Sequence, residues 1–474
     1  MNRLERIGRI RPKKSSQIQF SKISLGFEKL DRDVFDPEKA YDRVAECGVK
    51  RVRIQSGWAK TEKQKGVYDF AWLDSIVDNF LARGIEPWLC LCYGNALYSK
   101  QSETVFGMVG CPPIFTEEEK TAWVNYVKAT VSRYKGKITY YEVWNEPDGD
   151  WCWKHGANAV ELGIFTRDTA IAVKETDASA KVIGGALAYR RLNFLNTALK
   201  QGMADVIDYV SFHEYTHDER TVFEKVESFN ALLKMHNPKI GVIQGESGSQ
   251  SREGGHGALH HGAWSQEIQA KQLARHTIAD LIAGVHFTSY FTCVDMIEAL
   301  HGDVNDKASY LDYGYFGVLG ADFDKEGKSV GTYTPKPSYY VLQNICSIFA
   351  EDVRTCKLPI FIFPEYSKRK FERQQSKEEL IACGFENATG KAFVYWKPMN
   401  IMTTSFQSSI TLEVVSNDEE MLLVDIMDGS VYKIPESFIR DDGDGAKVIT
   451  ELPVKDTPLM LTFGKFLQDL DKDF

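Results

Sequence analysis

Two glutamates, each at the end of an apolar segment, are the residues of this sequence best suited to chemistry. The segment YYEVWNEP, residues 140–147, predicts a strand that ends at about Glu146, because Pro147 cannot donate to a sheet ladder. Side chains alternate along a strand, so Glu142, Trp144 and Glu146 are predicted to share one face. Burial at this position raises the pKa of a carboxyl group, which suits Glu146 to the role of a general acid.

A second apolar segment, KIGVIQGESG at residues 239–248, ends in Glu246 in the same way. In a chain that alternates strands and helices, the interval between Glu146 and Glu246 holds about three βα units. If Glu146 ends the fourth strand of a barrel, then Glu246 ends the seventh, and both side chains point into the same mouth. The pair is therefore a candidate for acid/base and nucleophilic chemistry.

These segments resemble the clan A glycoside hydrolases, the retaining (β/α)8-barrel enzymes. The clan pattern is a WNEP motif at the end of the fourth strand, here residues 144–147, and a glutamate at the end of the seventh strand, here Glu246. Residues 58–74 are also similar to a stretch after the second strand in families 39, 42 and 5. The resemblance covers residues 22–345, and family 39 is the nearest match. It implies Glu146 as the acid/base, Glu246 as the nucleophile and Asn145 as a ligand of the 2-hydroxyl of the sugar.

Arg53, on the predicted second strand, is expected to partner the nucleophile. Val52 and Ile54 form the apolar face of that strand, so Arg53 points to the barrel axis, where an unpaired charge is costly. The resemblance implies the same pairing with Glu246. Arg51 is instead expected to reach solvent at the bottom of the barrel. From the sequence we expect that Arg53→Ala lowers activity far more than stability.

Further predicted substrate ligands lie at the ends of other strands, and for the sixth strand the clan resemblance implies that a His or Tyr contacts the sugar or the nucleophile. They are Tyr93 and Asn95 after the third strand, Trp151 after the fourth, His213 and Tyr215 ending the sixth, and Tyr290, Phe291 and Asp295 at the eighth. Trp151 and Trp153 either stack on a sugar ring or simply pack their loop. The clan often has a tryptophan on the eighth strand that forms a platform under the sugar. This sequence has Tyr290 and Phe291 there instead, so which residue forms the platform is left undecided.

The glycine-rich segment 247–264 follows Glu246 and is predicted to form a mobile lid over the mouth. It contains His256, His260 and His261, whose spacing fits no standard metal motif, so we expect no metal and no cofactor.

Composition excludes several classes of protein. The chain has 474 residues, 43% hydrophobic and 26% charged, and a net charge of −9 that argues against a nucleic-acid binder. Nine scattered cysteines without zinc-site spacing indicate reduced thiols and a cytoplasmic protein. The N-terminus lacks the apolar region of a signal peptide, and no run of ~18 apolar residues predicts a membrane span.

Three regions are predicted along the chain. Residues 1–21 form a basic arm, either solvated or added as a strand to the β-domain. Residues 22–349 form the (β/α)8 catalytic barrel of an α/β TIM-barrel fold. Residues 350–474 contain short strand-like segments separated by turns, which predict an all-β, sandwich-like accessory domain.

The resemblance implies a retaining exo-glycosidase that uses two glutamates, with β-xylosidase favoured within family 39. The alternatives are another clan A activity (arabinofuranosidase, glucosidase, galactosidase or endo-glycanase), a non-catalytic carbohydrate-binding barrel, and a metal-dependent barrel hydrolase. The expected partner is a carbohydrate, with no nucleic acid and no membrane, and the sequence leaves a homo-oligomer open.

A retaining enzyme requires carboxyl groups about 5–5.5 Å apart, and we expect Glu146 to be the more desolvated of the two.

Overall fold

Eight parallel strands close into a barrel in this protein, whose structure is a computed structural model. It describes residues 3–103, 105–189, 192–298, 311–364, 380–416, 420–467 and 469–472. A first strand, β1 (Glu5–Ile10), lies outside the barrel. The barrel strands follow in chain order: β2 (Ile23–Gly26), β3 (Arg51–Gln55), β4 (Glu86–Leu91), β5 (Tyr140–Val143), β6 (Lys181–Leu187), β7 (Tyr209–His213), β8 (Gly241–Ser247) and β9 (Thr288–Tyr290). The predicted barrel is confirmed, with Glu146 after its fourth strand and Glu246 on its seventh.

Helices cover the outside of the barrel. They are α1 (Tyr41–Cys47), α2 (Trp58–Thr61), α3 (Ala71–Ala82), α4 (Val105–Gly110), α5 (Glu117–Tyr134), α6 (Ala159–Thr176), α7 (Leu192–Leu199), α8 (Thr221–His236), α9 (Gln266–Ala283) and α10 (Pro337–Ile348). Helix α5 starts at a reciprocal capping box between Thr116 and Glu119, which satisfies two backbone N–H groups at its first turn. This helix ends just before β5 and so delivers the chain to the strand that precedes Glu146.

The fourth barrel strand ends earlier than its sequence suggests. Strand β5 stops at Val143, because Trp144 and Glu146 adopt left-handed backbone with φ of 65° and 44°. Such φ values are rare for residues other than glycine and often mark functional sites. The predicted alternation therefore fails at Trp144, whose ring turns outward and packs against Trp123 and Phe165 on the helices. Glu146 nevertheless faces the cavity.

The rest of the chain is largely antiparallel. Its strands are β10 (Met296–Ile297), β11 (Tyr313–Gly314), β12 (Leu319–Phe323), β13 (Ser329–Pro335), β14 (Arg354–Cys356), β15 (Ile360–Pro364), β16 (Ile381–Glu386), β17 (Gly390–Trp396), β18 (Gln407–Val415), β19 (Met421–Asp425), β20 (Ser430–Lys433), β21 (Ile439–Gly443), β22 (Ala446–Lys455), β23 (Leu459–Gly464) and β24 (Leu470–Asp471). Strands β10 to β13 form two small hairpins beside the barrel mouth.

Two larger sheets form the C-terminal β-region. One has the order β14-β16-β17-β23-β19-β20-β1-β24, and the other the order β15-β18-β22-β21. Their inner faces share one apolar cluster that includes Leu412 and Ile449 from the smaller sheet and Leu423 and Leu461 from the larger. The predicted all-β C-terminal region is confirmed, and β1 pairs with β20 within it. The domain boundaries stay a prediction.

Among the described residues, no helix is long and apolar enough to cross a membrane. All nine cysteines are free thiols, and seven of them are buried.

Candidate active site

A cavity of about 690 Å³ opens at the carboxyl ends of the barrel strands. This is the end at which barrel enzymes place their active sites. Seven of the eight loops that follow a barrel strand contribute to its wall, and the second strand contributes its last residue, Gln55. In loop order these contributions include Lys29 and Arg32, Gln55, Tyr93 and Val109, Asn145, Glu146 and Trp151, Ala188 and Tyr189, Tyr215, His256 to His260, and Phe291 and Glu298.

Glu146 and Glu246 lie together in this cavity. A carboxylate oxygen of each, and a ring nitrogen of His213, all lie within 4.8 Å of one another. This separation agrees with the short distance expected for direct attack on a sugar, because an intervening water requires ~6.5–9.5 Å. Among the described residues, the same three side chains are the group close enough together to hold a metal ion.

Arg53 is completely buried and joins three strands beneath the cavity. Its Nη1 donates to Glu246 Oε1, and its Nη2 donates to Asn145 Oδ1 at 2.7 Å. Nε and Nη2 also donate to Glu142 Oε2, at 2.8 and 2.6 Å. The fork of the guanidinium thus fixes the nucleophile candidate and the amide beside the other glutamate in one rigid arrangement.

Glu246 is held as a carboxylate. Burial alone raises the pKa of this group, but the charges of His213 and Arg53 outweigh burial. Tyr215 adds a hydrogen bond from its hydroxyl to Oε2 of Glu246, at 2.8 Å. Together these groups hold the pKa of Glu246 below its usual range, so that the side chain is ionised and able to attack.

Glu146 has a different set of partners. His213 Nδ1 lies 2.8 Å from its Oε1, and the indole N–H of Trp151 donates to its Oε2. The expectation that Glu146 is the more desolvated carboxyl group is wrong: its side chain is 14% exposed, against 9% for Glu246. The reason is the open left-handed turn at Glu146, which lifts the side chain above the strand ends.

His213 lies between the two glutamates. Its Nδ1 is 2.8 Å from Glu146 and 3.5 Å from Glu246, and its ring is buried. Burial opposes the charged ring, but Glu246 and the hydrogen bond to Glu146 outweigh it and raise the pKa of His213. His213 therefore supplies one ring nitrogen within 4 Å of both carboxylates.

Two further carboxylates were not singled out as site residues by the sequence. Glu142, fully buried, takes two of the Arg53 hydrogen bonds, and Ser211 donates to its other oxygen. Glu28, with Oε1 3.5 Å from Arg53, is also buried, and burial raises its pKa to about 7. Strand alternation had placed Glu142 on the inner face, which was a usable signal, whereas nothing local pointed to Glu28.

Five of the ten predicted substrate ligands line the cavity: Tyr93, Asn145, Trp151, Tyr215 and Phe291. Arg53 and His213 are buried and contact the two glutamates without lining the cavity.

Three predicted ligands lie outside the cavity wall and support loops. Asn95 donates to the Glu62 carbonyl and accepts from the backbone N–H of Leu97. Asp295 forms an ion pair with Lys336 at 2.6 Å, and Tyr290 is buried. Of the two residues predicted as candidates for the sugar platform, Phe291 lines the cavity and Tyr290 does not.

The two loop tryptophans divide between the two predicted roles. Trp151 lines the cavity with its ring against Tyr189, at 5.6 Å between centroids. Trp153 is buried, donates to Glu161 Oε2 at 3.1 Å and packs against Trp144, so it packs its loop.

The glycine-rich segment 247–264 covers one side of the cavity. The amide of Gln250 donates to the carbonyls of His256 and Ala258, while its oxygen accepts from the backbone N–H of Tyr315. Trp264 donates to the Leu259 carbonyl at 2.7 Å. The segment therefore has its own framework of hydrogen bonds, and its opening as a lid stays a prediction.

Comparisons with known proteins agree with this geometry. Residues 36–240 match the family model described as Glycosyl hydrolases family 39. A β-xylosidase of Geobacillus stearothermophilus is 29% identical over 167 residues, which cover 32% of this chain and 32% of that protein. A β-xylosidase of Caldicellulosiruptor saccharolyticus is 28% identical over 189 residues, 36% of this chain and 38% of that protein. The matches thus span about a third of the length of these curated relatives.

Solved structures extend the likeness to the whole fold. A family 39 glycoside hydrolase from Bacteroides cellulosilyticus has a TM-score of 0.62 at 17% identity, covering 93% of this chain and 80% of that one. A monomeric β-xylosidase from Caulobacter crescentus has a TM-score of 0.60 at 17% identity, covering 96% and 98%. The family match over residues 36–240, the WNEP motif and the shared fold make this chain similar to the clan A glycoside hydrolases, and most like those of family 39.

Proposed function

We propose that the protein is a retaining exo-glycosidase with Glu246 as the nucleophile and Glu146 as the acid/base. The observation that carries this proposal is the approach of the two carboxylates within 4.8 Å, with Arg53 paired to one of them only. The same wall holds Asn145, placed by Arg53 next to Glu146. Two carboxylates this close, in unlike environments, suit two different roles in one reaction.

In the first step, Glu246 attacks the anomeric carbon with a carboxylate oxygen while the bond to the leaving oxygen breaks. Glu146 gives its proton to that oxygen and becomes a carboxylate. The Nδ1 of His213, 2.8 Å from Glu146 Oε1, and the indole N–H of Trp151 stabilise the charge that results. The product of this step is a glycosyl ester on Glu246 and a free alcohol.

In the second step, Glu146 takes a proton from water, and the water oxygen attacks the anomeric carbon from the face that the alcohol has left. The bond to Glu246 breaks, and its carboxylate returns to the hydrogen bonds of Arg53 and Tyr215. Two displacements at one carbon restore its configuration, so the sugar is released with the anomeric form of the substrate.

The shape of the cavity supports exo action. Seven loops and the end of the second strand contribute to its wall, so a single sugar at the two glutamates is surrounded rather than laid across an open cleft. The names of the two curated relatives, both β-xylosidases, support a β-xyloside as the substrate. The nine free cysteines support a cytoplasmic location.

A screen of nitrophenyl glycosides tests the proposal. Xylosides, arabinofuranosides, glucosides, galactosides and glucuronides of both anomers are compared for the parent and for Glu246→Gln, which keeps the shape of the side chain. We expect hydrolysis of at least one glycoside, most rapidly of the β-xyloside, and loss of nearly all of it in the variant. Hydrolysis of none, or equal rates for parent and variant, contradicts the proposal.

A further inference from the structure

The loop after the first barrel strand is unusually rich in charge for a buried segment. Residues 28–33 read EKLDRD, with five charged residues among six. Two cations of this loop, Lys29 and Arg32, line the cavity that holds Glu146 and Glu246. Burying a cation at a cavity wall costs free energy of desolvation, and a loop with a purely structural role could avoid that cost by using uncharged residues.

Lys29 is fixed on three sides. Its backbone is left-handed, with φ of 66°, a conformation rarely adopted by lysine. Its Nζ donates to the carbonyl of Ile297 at 3.0 Å and lies 3.1 Å from Oε1 of Glu298. The ammonium also lies 5.4 Å from the centre of the Phe291 ring, the predicted platform. Its position at the cavity wall is thus set by the loop after the eighth strand, which is the neighbour of the first strand in the closed barrel.

Arg32 is fixed in a similar way. Its Nε lies 3.3 Å from Asp31 Oδ1, and its Nη2 donates to the amide oxygen of Gln55. The guanidinium stacks over the ring of Tyr93 at 5.3 Å, and Gln55 in turn donates to the Tyr93 hydroxyl. These contacts hold a planar set of donors at the cavity wall.

Each charge at this wall has an opposite charge beside it. Lys29 forms an ion pair with Glu298, and Arg32 forms one with Asp31. Glu246 forms an ion pair with Arg53, which lies beneath the cavity. Among the described residues, the two cations of the wall are therefore already neutralised by carboxylates. An anionic sugar gains little from a cation that is paired in this way, whereas sugar hydroxyls can both donate to the carboxylate and accept from the cation.

Building on the proposed function, we infer that Lys29, Arg32 and Glu298 form the specificity wall of the sugar subsite, and that this wall selects an uncharged sugar. Lys29 and Glu298 act together on neighbouring hydroxyls, one as donor and one as acceptor. Arg32 supplies a second fixed donor beside Tyr93. A uronic acid bound in the same place brings its carboxylate close to that of Glu298, and the two negative charges repel each other.

Pairs of sugars that differ only at C6, with a hydroxymethyl group in one and a carboxylate in the other, test the selection. Glucose against glucuronic acid and galactose against galacturonic acid are compared in two ways: as nitrophenyl glycosides, by kcat/KM, and as free sugars bound to Glu246→Gln, by saturation-transfer NMR. We expect each neutral sugar to exceed its acid in both readouts, and xyloside or arabinoside to exceed both acids. An acid that binds or reacts better than every neutral sugar overturns the inference. Binding of neutral sugars without hydrolysis contradicts the proposed function but leaves the selection intact.

Variants of the wall test the residues. Lys29→Met should lower kcat/KM on the best neutral substrate roughly 10- to 150-fold, the loss of one hydrogen bond from a charged group. The matched control is Lys60→Met, since Lys60 also binds this loop, at the Leu30 carbonyl and Asp33, without lining the cavity. Equal losses in the two variants assign Lys29 a structural role and refute its place in the wall.

Glu298→Gln supplies an independent test that does not depend on the stability of the lysine variant. It removes the carboxylate that neutralises Lys29 while keeping the shape of the side chain. The preference for the neutral sugar over its acid should fall about tenfold, both in kcat/KM and in competition between the free sugars. An unchanged preference contradicts the inference.

Discussion

Arg53 is the side chain on which the arrangement of the site depends most, and its removal has a defined consequence. Arg53→Ala leaves Glu246, Glu142 and Glu28 facing one another in a closed core without their shared cation. The nucleophile keeps only His213 and Tyr215 as stabilising partners. We therefore expect the pKa of Glu246 to rise and the acid limb of the pH profile of kcat/KM to move upward.

The size of the effect follows from the contact. Two unit charges about 4 Å apart at an effective dielectric constant of ~20 interact with about 4 kcal/mol as an upper limit, and loss of this interaction raises the pKa of Glu246. Removing one partner of a buried ion pair also costs about 3–5 kcal/mol of stability. The expectation that Arg53→Ala mainly lowers activity thus needs revision, because a completely buried Arg53 supports the fold as well as the reaction.

The assay is the pH profile of kcat/KM between about pH 4 and 9, together with denaturant unfolding of the same variants. Arg53→Lys keeps the charge without the fork and should show a smaller shift of the acid limb. The control is Arg51→Ala: Arg51 lies on the same strand but pairs with Glu86 at 3.2 Å away from the cavity, so it should lower stability without moving the limb. An unshifted acid limb in Arg53→Ala, or an equal shift in Arg51→Ala, refutes the reasoning.

Three further predictions follow from the same contacts. Trp151→Phe removes the N–H that Glu146 Oε2 accepts and should lower kcat/KM roughly tenfold or more; a change below twofold on a substrate with a poor leaving group counts against this contact. The pKa of His213 is raised in the folded protein, so its contribution to stability is present below its unfolded pKa of about 6.5 and is lost as the pH rises through its folded pKa. The difference in unfolding free energy between the parent and His213→Gln should therefore shrink from about pH 6 to pH 9, as measured by denaturant unfolding. Treatment with a chelator should leave activity unchanged, because Arg53 and His213 supply the positive charge at Glu246; loss of activity that zinc or magnesium restores indicates a metal at Glu146, His213 and Glu246.

The strand ends were predictable because their signals are local. Glu246 and Arg53 are on strands whose alternation of apolar and polar residues shows which face is buried, and the spacing of the βα units then brings them together. The ion pair between Arg53 on the second strand and Glu246 on the seventh was predicted because an unpaired charge at the barrel axis is costly. The structure contains that ion pair.

The turn at Glu146 was not predictable from alternation. Two left-handed residues, Trp144 and Glu146, reverse the direction of the side chains after Val143, and the aromatic cluster with Trp123 and Phe165 that receives Trp144 is assembled from two separate helices. Sequence patterns of period two carry no information about such a turn.

The specificity wall was missed for a similar reason. Lys29 meets Glu298 between the loops after the first and eighth strands, which are neighbours in the closed barrel but far apart in the sequence, and a run of charges is ordinarily a solvated face. Asn95 shows the opposite error. This polar residue follows a strand end, but its amide donates to the carbonyl of Glu62 in the preceding loop and accepts from the N–H of Leu97, so it supports the fold and does not line the cavity.

The identity of the nucleophile is the central claim, and covalent trapping tests it most directly. A 2-deoxy-2-fluoro glycoside with a good leaving group, built on the sugar that the screen identifies, slows both steps but the second more than the first, so that the glycosyl ester accumulates. Mass spectrometry of the intact protein and of its peptides then locates the label. The account predicts one added sugar on Glu246 and none in Glu246→Gln. A label on Glu146, or full inactivation without a covalent adduct, contradicts it.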